Sequence, residues 1–194
     1  MKYHVITILL FSVLLISGCN SKNTKVESNQ TESSEHEEMS AFSKEKMKTY
    51  LSTGSGLIFR APKEWHNNSS DKIFQVIDPE TNTQFSSSFY ENQGLSTEQW
   101  AEYRFQAVQK GMPYLKLDKE KEGITGASWN GFMAEYSGTF PGNNYVSKYL
   151  VVAFIKNNML FSFTVTSDKD VYSKNKSIYT YLISNNLDVY KVNK

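Results

Sequence analysis

The 194-residue chain is 39% hydrophobic and 14% aromatic, and its 21 lysines and arginines nearly balance 20 aspartates and glutamates. So neutral a chain sets up no field that gathers nucleic acid or anionic lipid, and no nucleic-acid partner is expected. The apolar mass suits one core of ordinary size, and the single cysteine, Cys19, excludes internal disulfides and any cysteine-rich metal centre.

MKYH places Lys2 ahead of a weakly polar to apolar segment, Val5 to Ile16, which ends in Ser17 and Gly18. This is the pattern of a signal peptide over residues 1–18. A run of ~12 residues is too short to cross a hydrocarbon core, which takes ~20 in a helix. Leu15-Ile16-Ser17-Gly18-Cys19 resembles the bacterial lipobox, whose cysteine is diacylated and becomes the first residue of the mature chain. The resemblance makes Cys19 the lipid-attachment residue and the membrane a partner through that anchor. An incidental cysteine or an intermolecular disulfide would leave its place directly after Ser17-Gly18 unexplained. Two or three acyl chains, at ~0.8 kcal/mol per buried methylene, hold a protein stably on a membrane. The expected location is the bacterial cell envelope, on the extracytoplasmic face of a membrane.

From Asn20 to Ser40 the chain has two lysines, five glutamates and almost nothing apolar, so it cannot bury enough surface to offset the entropy of ordering. Residues 19–40 are therefore expected to form a lipidated N-terminus and disordered tether, spanning roughly 25 Å as a coil. His36-Glu37-Glu38 belongs to this solvated stretch. Residues 41–194 remain for one globular domain.

SAFSKEKMKTYLS carries Phe42, Met47 and Leu51 between lysines, with Ser43 as a cap, and predicts a short helix before TGSG breaks it. GLIFRAPKEW places Leu57, Phe59 and Ala61 on one face of a strand that Pro62 ends. KIFQVIDPETNTQFSSSFYE predicts a hairpin turning at residues 78–82. In LSTEQWAEYRFQAVQKGMP, Ser96 and Gln99 form a capping box, Leu95 and Trp100 a hydrophobic staple, and Gly111 closes the helix. Its predicted inner stripe is Trp100, Tyr103, Ala107 and Val108.

KLDKEKEG alternates charge like the solvated side of a strand, and GITGASWNG connects a hairpin, since the lysine and spacing of a phosphate loop are missing. FMAEYSGTF points Phe132, Ala134, Tyr136 and Phe140 inward. After the turn PGNN, residues 149–155 are apolar at every position, the pattern of a central strand covered on both faces. Asn157-Asn158 turns the chain into MLFSFTVT, with Met159, Phe161, Phe163 and Val165 on one face. Ser167 opens a last helix, with Asp168 and Asp170 in its first turn and Val171, Ile178, Leu182 and Ile183 as its buried stripe.

This order of elements, with its residues, resembles the PsbP-like family, which includes the extrinsic photosystem II subunit and DcrB-type bacterial lipoproteins. GLIFRAPKEW is similar to the family's entry strand, WNGFMAEYSG to its central strand, and YLVVAFIKNNMLFSFTVTS to its final hairpin. The resemblance spans Gly56 to about Tyr190. It implies an α+β fold, a single antiparallel sheet of about six or seven strands with helices on its faces, that is, an α/β/α sandwich. It carries no catalytic signature onto numbered positions, and it implies an accessory role.

A nucleophile with a histidine base would have to use His66, in the polar loop HNNSSD, with Ser69 and Ser70 nearby, and no G-x-S-x-G elbow accompanies them. A zinc site needs a Cys/His-rich set the domain lacks, so no metal, cofactor or catalytic residue is expected. The acids of DPE and SDKD are accounted for by a turn and a helix start. Trp129 and Tyr145, near turns, are candidates for partner contact where they prove exposed. The sequence thus predicts a lipid-anchored envelope protein with a non-catalytic accessory or protein-binding role. The alternatives are an envelope hydrolase using His66 and a carrier of a small apolar ligand between sheet and helix.

Overall fold

The computed structural model describes residues 46–70 and 73–190. The expected signal peptide, Cys19, the expected tether and the predicted helix start at Ser43 lie outside them. Where a short helix is predicted, Met47–Leu51 forms a strand, β1. Tertiary pairing decides this: Tyr50 lies opposite Phe59, buries its ring, and donates its hydroxyl to the carbonyls of Pro62 and Trp65 at 2.8 and 2.7 Å. The apolar spacing that suggested a helix is outweighed by that one anchored side chain.

The remaining elements are β2 (Leu57–Pro62), β3 (His66–Asn67), β4 (Phe74–Ile77), β5 (Gln84–Glu91), α1 (Thr97–Gly111), β6 (Lys116–Thr125), β7 (Asn130–Gly138), β8 (Ser147–Lys156), β9 (Met159–Asp168), α2 (Lys169–Asn186) and β10 (Leu187–Val189). Seven strands form one antiparallel sheet in the order β3-β4-β5-β9-β8-β7-β6. Helices flank it as the α+β reading requires. The predicted entry strand, β2, does not join this sheet. It pairs with β1 and β10 in a second, three-stranded sheet, and its Leu57, Phe59 and Ala61 lie fully buried in the cluster on the α2 side of the main sheet.

The tight turn predicted at Asn157-Asn158 is built from two left-handed residues, φ 52° and 61°, the pairing that suits a two-residue hairpin. Beyond it, β8 and β9 divide their side chains by the period of two. Leu150, Val152, Phe154, Phe161, Phe163 and Val165 enter the cluster under α2 and the small sheet. Val151, Ala153 and Leu160 enter the cluster under α1. This explains the unbroken apolar run in β8: both faces are covered. On the α2 side Phe59 packs 5.3 Å from Phe85 and 5.4 Å from Phe163, ring centre to ring centre. Each ring so buried contributes about 1.5–3 kcal/mol relative to exposure.

Both predicted helices form, with their stripes rotated. The capping box of α1 is intact, Ser96 accepting from the Gln99 N–H and Gln99 accepting from the Ser96 N–H. The buried residues are Trp100, Ala101, Phe105 and Val108, while Tyr103 is 59% exposed. Turning the small Ala101 toward the sheet lets the helix approach closely and leaves Tyr103 on the flank. In α2 the cap is Asp168, Ser167 belongs to β9, and the buried residues are Tyr172, Tyr179, Leu182 and Ile183, with Val171 and Ile178 half-buried beside them. Tyr179 is drawn inward by its hydroxyl, which shares a buried 2.9 Å hydrogen bond with Thr83; Thr83 in turn meets Ser167 at 2.9 Å.

Candidate functional site

Helix α1 lies along β7 and β8 and stops short of the far half of the sheet. Cross-strand pairing places Thr164 of β9 beside Ser86 of β5 and Gln75 of β4, and Thr166 beside Gln84. These side chains share the α1 face, because their neighbours Phe85, Phe163 and Val165 point into the opposite cluster. None of the described helices or strands is packed over this half. The result is a flat, polar ground of hydroxyls and amides, bounded by Gln75, which is itself buried and donates to Gln84 at 3.3 Å.

Its border with α1 is aromatic. Trp100 is pinned by its Nε1–H to the Phe161 carbonyl at 2.7 Å. Tyr103 stacks on it at 5.9 Å, and Tyr90, from the end of β5, meets it edge-on at 6.0 Å. Both tyrosines are exposed, at 59% and 43%. Beside them lies Arg104. At 100° per residue, position 104 falls between Trp100 and Val108 on the inward side of the helix, so the guanidinium is directed at the sheet. Its Nε–H donates to Ser162 Oγ at 2.6 Å. Burial pulls its pKa down, and the nearby Tyr90, Tyr136 and Tyr103 oppose that. Arginine stays charged regardless. Among the described residues no carboxylate pairs with it. Tyr136, buried beneath α1, has its phenol pushed up to about 12 by burial, with Arg104 acting in the opposite direction.

A second polar cluster is structural in character. Glu135, on β7 under α2, is buried and pairs with Lys176 at 2.5 Å, while Lys148 pairs with Asp118 at 2.9 Å. Burial and then the Glu135 carboxylate push the Tyr172 phenol up. These contacts fasten α2 and β6 to the sheet.

The residues singled out by sequence are dispersed. His66 is exposed on the short outer strand β3. Ser69 Oγ is engaged by the backbone of Gln75, and Ser70 Oγ accepts from the Ile73 N–H, so both hydroxyls serve the turn. Asp78 accepts from Glu80 N–H and the Thr81 hydroxyl, and Asp168 caps α2, as the turn and helix-start readings require. Gly126 and Trp129 form the β6–β7 connection. Trp129 is 4% exposed and packed in the core, so it is no contact residue, whereas Tyr145 is 39% exposed. A shallow, open depression of about 480 Å³ lies between the start of α1 and the β6–β7 edge of the sheet, among Thr97, Gly123, Thr125, Asn130 and Phe132, and His66 does not line it. The Tyr90–Trp100–Tyr103–Arg104 border was missed. Its one signal in the sequence is a charged residue at an inward helical position.

No family model matches the chain, and no curated protein matches it. Among solved structures it is similar to the cyanobacterial PsbP protein CyanoP of Synechocystis, at 17% identity and a TM-score of 0.56, over 77% of this chain and 95% of that one. It is also similar to the Pseudomonas aeruginosa protein PA94, at 14% identity and a TM-score of 0.49 over 76% and 99% of the two chains. The Ran-binding protein Mog1p of Saccharomyces cerevisiae matches at 9% identity and a TM-score of 0.47 over 68% and 82%. The CyanoP match establishes a PsbP-like fold.

Proposed function

We propose that this chain is a lipid-anchored protein of the bacterial cell envelope, held on the membrane through Cys19, whose folded part is a non-catalytic binding module for another envelope protein. The observation that carries the binding role is the pairing of an uncovered half-sheet with an exposed border of Tyr90 and Tyr103, seated on the buried Trp100, beside an arginine. Tyrosine, tryptophan and arginine dominate the energetics of protein interfaces. The groups a hydrolase would need do not converge: His66 stands exposed on β3, and the serines nearest it are occupied by backbone.

The test is site-specific photocrosslinking in intact cells, with a benzoylphenylalanine in place of Tyr103 and, as control, in place of the exposed Lys174 on α2. A discrete protein adduct is expected from position 103 and none from 174. Equal labelling at both positions, or none at 103 while His66→Ala alone reproduces the deletion phenotype, would overturn the binding reading in favour of the hydrolase.

A further inference from the structure

Arg104 carries a cost that packing does not explain. A guanidinium drawn out of water without an anion is destabilising, and a leucine or methionine at this inward position of α1 would serve the core better. Ser162 satisfies Nε alone. The two terminal nitrogens donate to no described residue, and they are not sealed off. Tyr90, Tyr136 and Tyr103 surround the guanidinium, and Ser162, which holds it, stands on β9 opposite Ser88 of β5, beside the polar half of the sheet. A planar fork of donors, held in place by one fixed hydrogen bond and left unpaired at its outer edge, matches a carboxylate bidentately.

We propose that Arg104 binds a carboxylate, the side chain of a glutamate or aspartate, on an extended acidic segment of a partner protein laid across β9 and β5. This rests on the binding role proposed above and specifies its chemistry. The flat ground favours an extended chain: Ser86, Thr164 and Gln84 offer hydroxyl and amide groups to a peptide backbone, which carries its own alternating donors and acceptors. The charge complement is local. Because the protein as a whole is nearly neutral, it supplies no long-range field, and recognition depends on this single cation.

The experiment uses the full lipidated chain in detergent micelles and two fluorescein-labelled octapeptides of glycine, serine and tyrosine, identical except for a central glutamate or glutamine, read by anisotropy. The glutamate peptide is expected to bind about tenfold or more tighter than its amide counterpart, as one charge-assisted bidentate contact implies. Arg104→Gln should erase that preference, Arg104→Lys should keep only part of it, and Tyr103→Ala should weaken both peptides while preserving their ratio. If Arg104→Gln fails to fold, the contrast between peptides on the unmodified chain decides. Equal binding of the two peptides, or none at millimolar concentration, overturns the proposal. So does free N-acetylglutamate binding as tightly as the peptide, which would make the site one for a small acid. Arg104-dependent binding to purified peptidoglycan sacculi alone would assign the site to an anionic glycan. Binding that appears only after deletion of residues 20–40 would assign it to the glutamates of this chain's own N-terminal segment. A crosslink at position 103 with no glutamate preference leaves the binding role standing and removes the carboxylate; absence of both removes the two together.

Discussion

Trp129 lies flat on Phe154, ring centres 4.2 Å apart, and its indole N–H donates to the Leu187 carbonyl at 2.9 Å. One side chain thereby ties the β6–β7 connection to the core of the main sheet and to the small sheet through β10. Trp129→Phe retains the stack and orphans a buried carbonyl, which should cost about 1–3 kcal/mol, and Trp129→Ala about 3–5 kcal/mol. Urea unfolding followed by circular dichroism measures both. A Phe variant as stable as the parent would mean the hydrogen bond is matched by water.

Thr83 sits at 0% exposure between Ser167 and Tyr179 and joins the β4–β5 turn to the start and middle of α2's layer. Thr83→Val should cost about 1–3 kcal/mol by leaving both partners unpaired, and Tyr179→Phe should cost less, near the ~1 kcal/mol of a single hydrogen bond. The double variant should lose less than the two losses added, because the residues share one network. Additive losses would argue against the network.

The tyrosines set the alkaline limit of stability. The Tyr136 phenol titrates near 12 in the folded state against 10.0 ordinarily, because burial favours its neutral form, and Tyr149 and Tyr172 are raised in the same direction. Between the two values the folded chain holds protons that the unfolded chain has released. Their contribution is therefore complete below about pH 10 and is lost as pH climbs through the folded values. The urea midpoint should fall steeply above pH 10, and Tyr136→Phe should flatten the fall. An unchanged slope in that variant would remove Tyr136 from the account.

The anchor is tested separately. Cys19→Ala should abolish incorporation of an alkyne palmitate analogue and block processing of the precursor; labelling that survives would end the lipoprotein proposal. Protease is expected to remove the chain up to about Ser40 and spare a core that begins before Gly56.

His66→Ala is expected to leave both the envelope phenotype and the urea midpoint unchanged, since the imidazole is exposed on the short outer strand β3. A loss of phenotype with the protein still folded and anchored would mean that the ring acts on something.

Local chemistry made much of this fold legible. The capping box at Ser96, the paired asparagines at 157 and 158, and the unbroken run through Val151 and Val152 each fix backbone or burial within a few residues. What failed were readings that needed the third dimension. Met47 and Leu51 suggested a helix because nothing nearby in sequence reveals that Phe59 waits opposite Tyr50. The stripes of α1 and α2 came out rotated because helical spacing leaves open which of two adjacent flanks a sheet will take, and Ala101 and Tyr179 decided that through close approach and a distant hydroxyl. The Arg104 site was hidden for the same reason: Ser162 and Tyr90 are brought to it only by strand register. Only the arginine's inward phase was written in the sequence.

Among the described residues, β6 leaves ten residues of outer strand with one side unpaired. A chain tied to a membrane by lipid, as proposed here, moves in two dimensions and meets copies of itself at high local density. An apolar outer strand would let such neighbours zip edge to edge into a growing sheet. Lys116, Lys119, Glu120 and Lys121, together with the register shifts along the strand, set charge and irregularity against that growth. Encounters between crowded copies remain reversible, and the same charges deny an outside strand a place on β6, leaving the faces of the sheet as the ground on which another protein can settle.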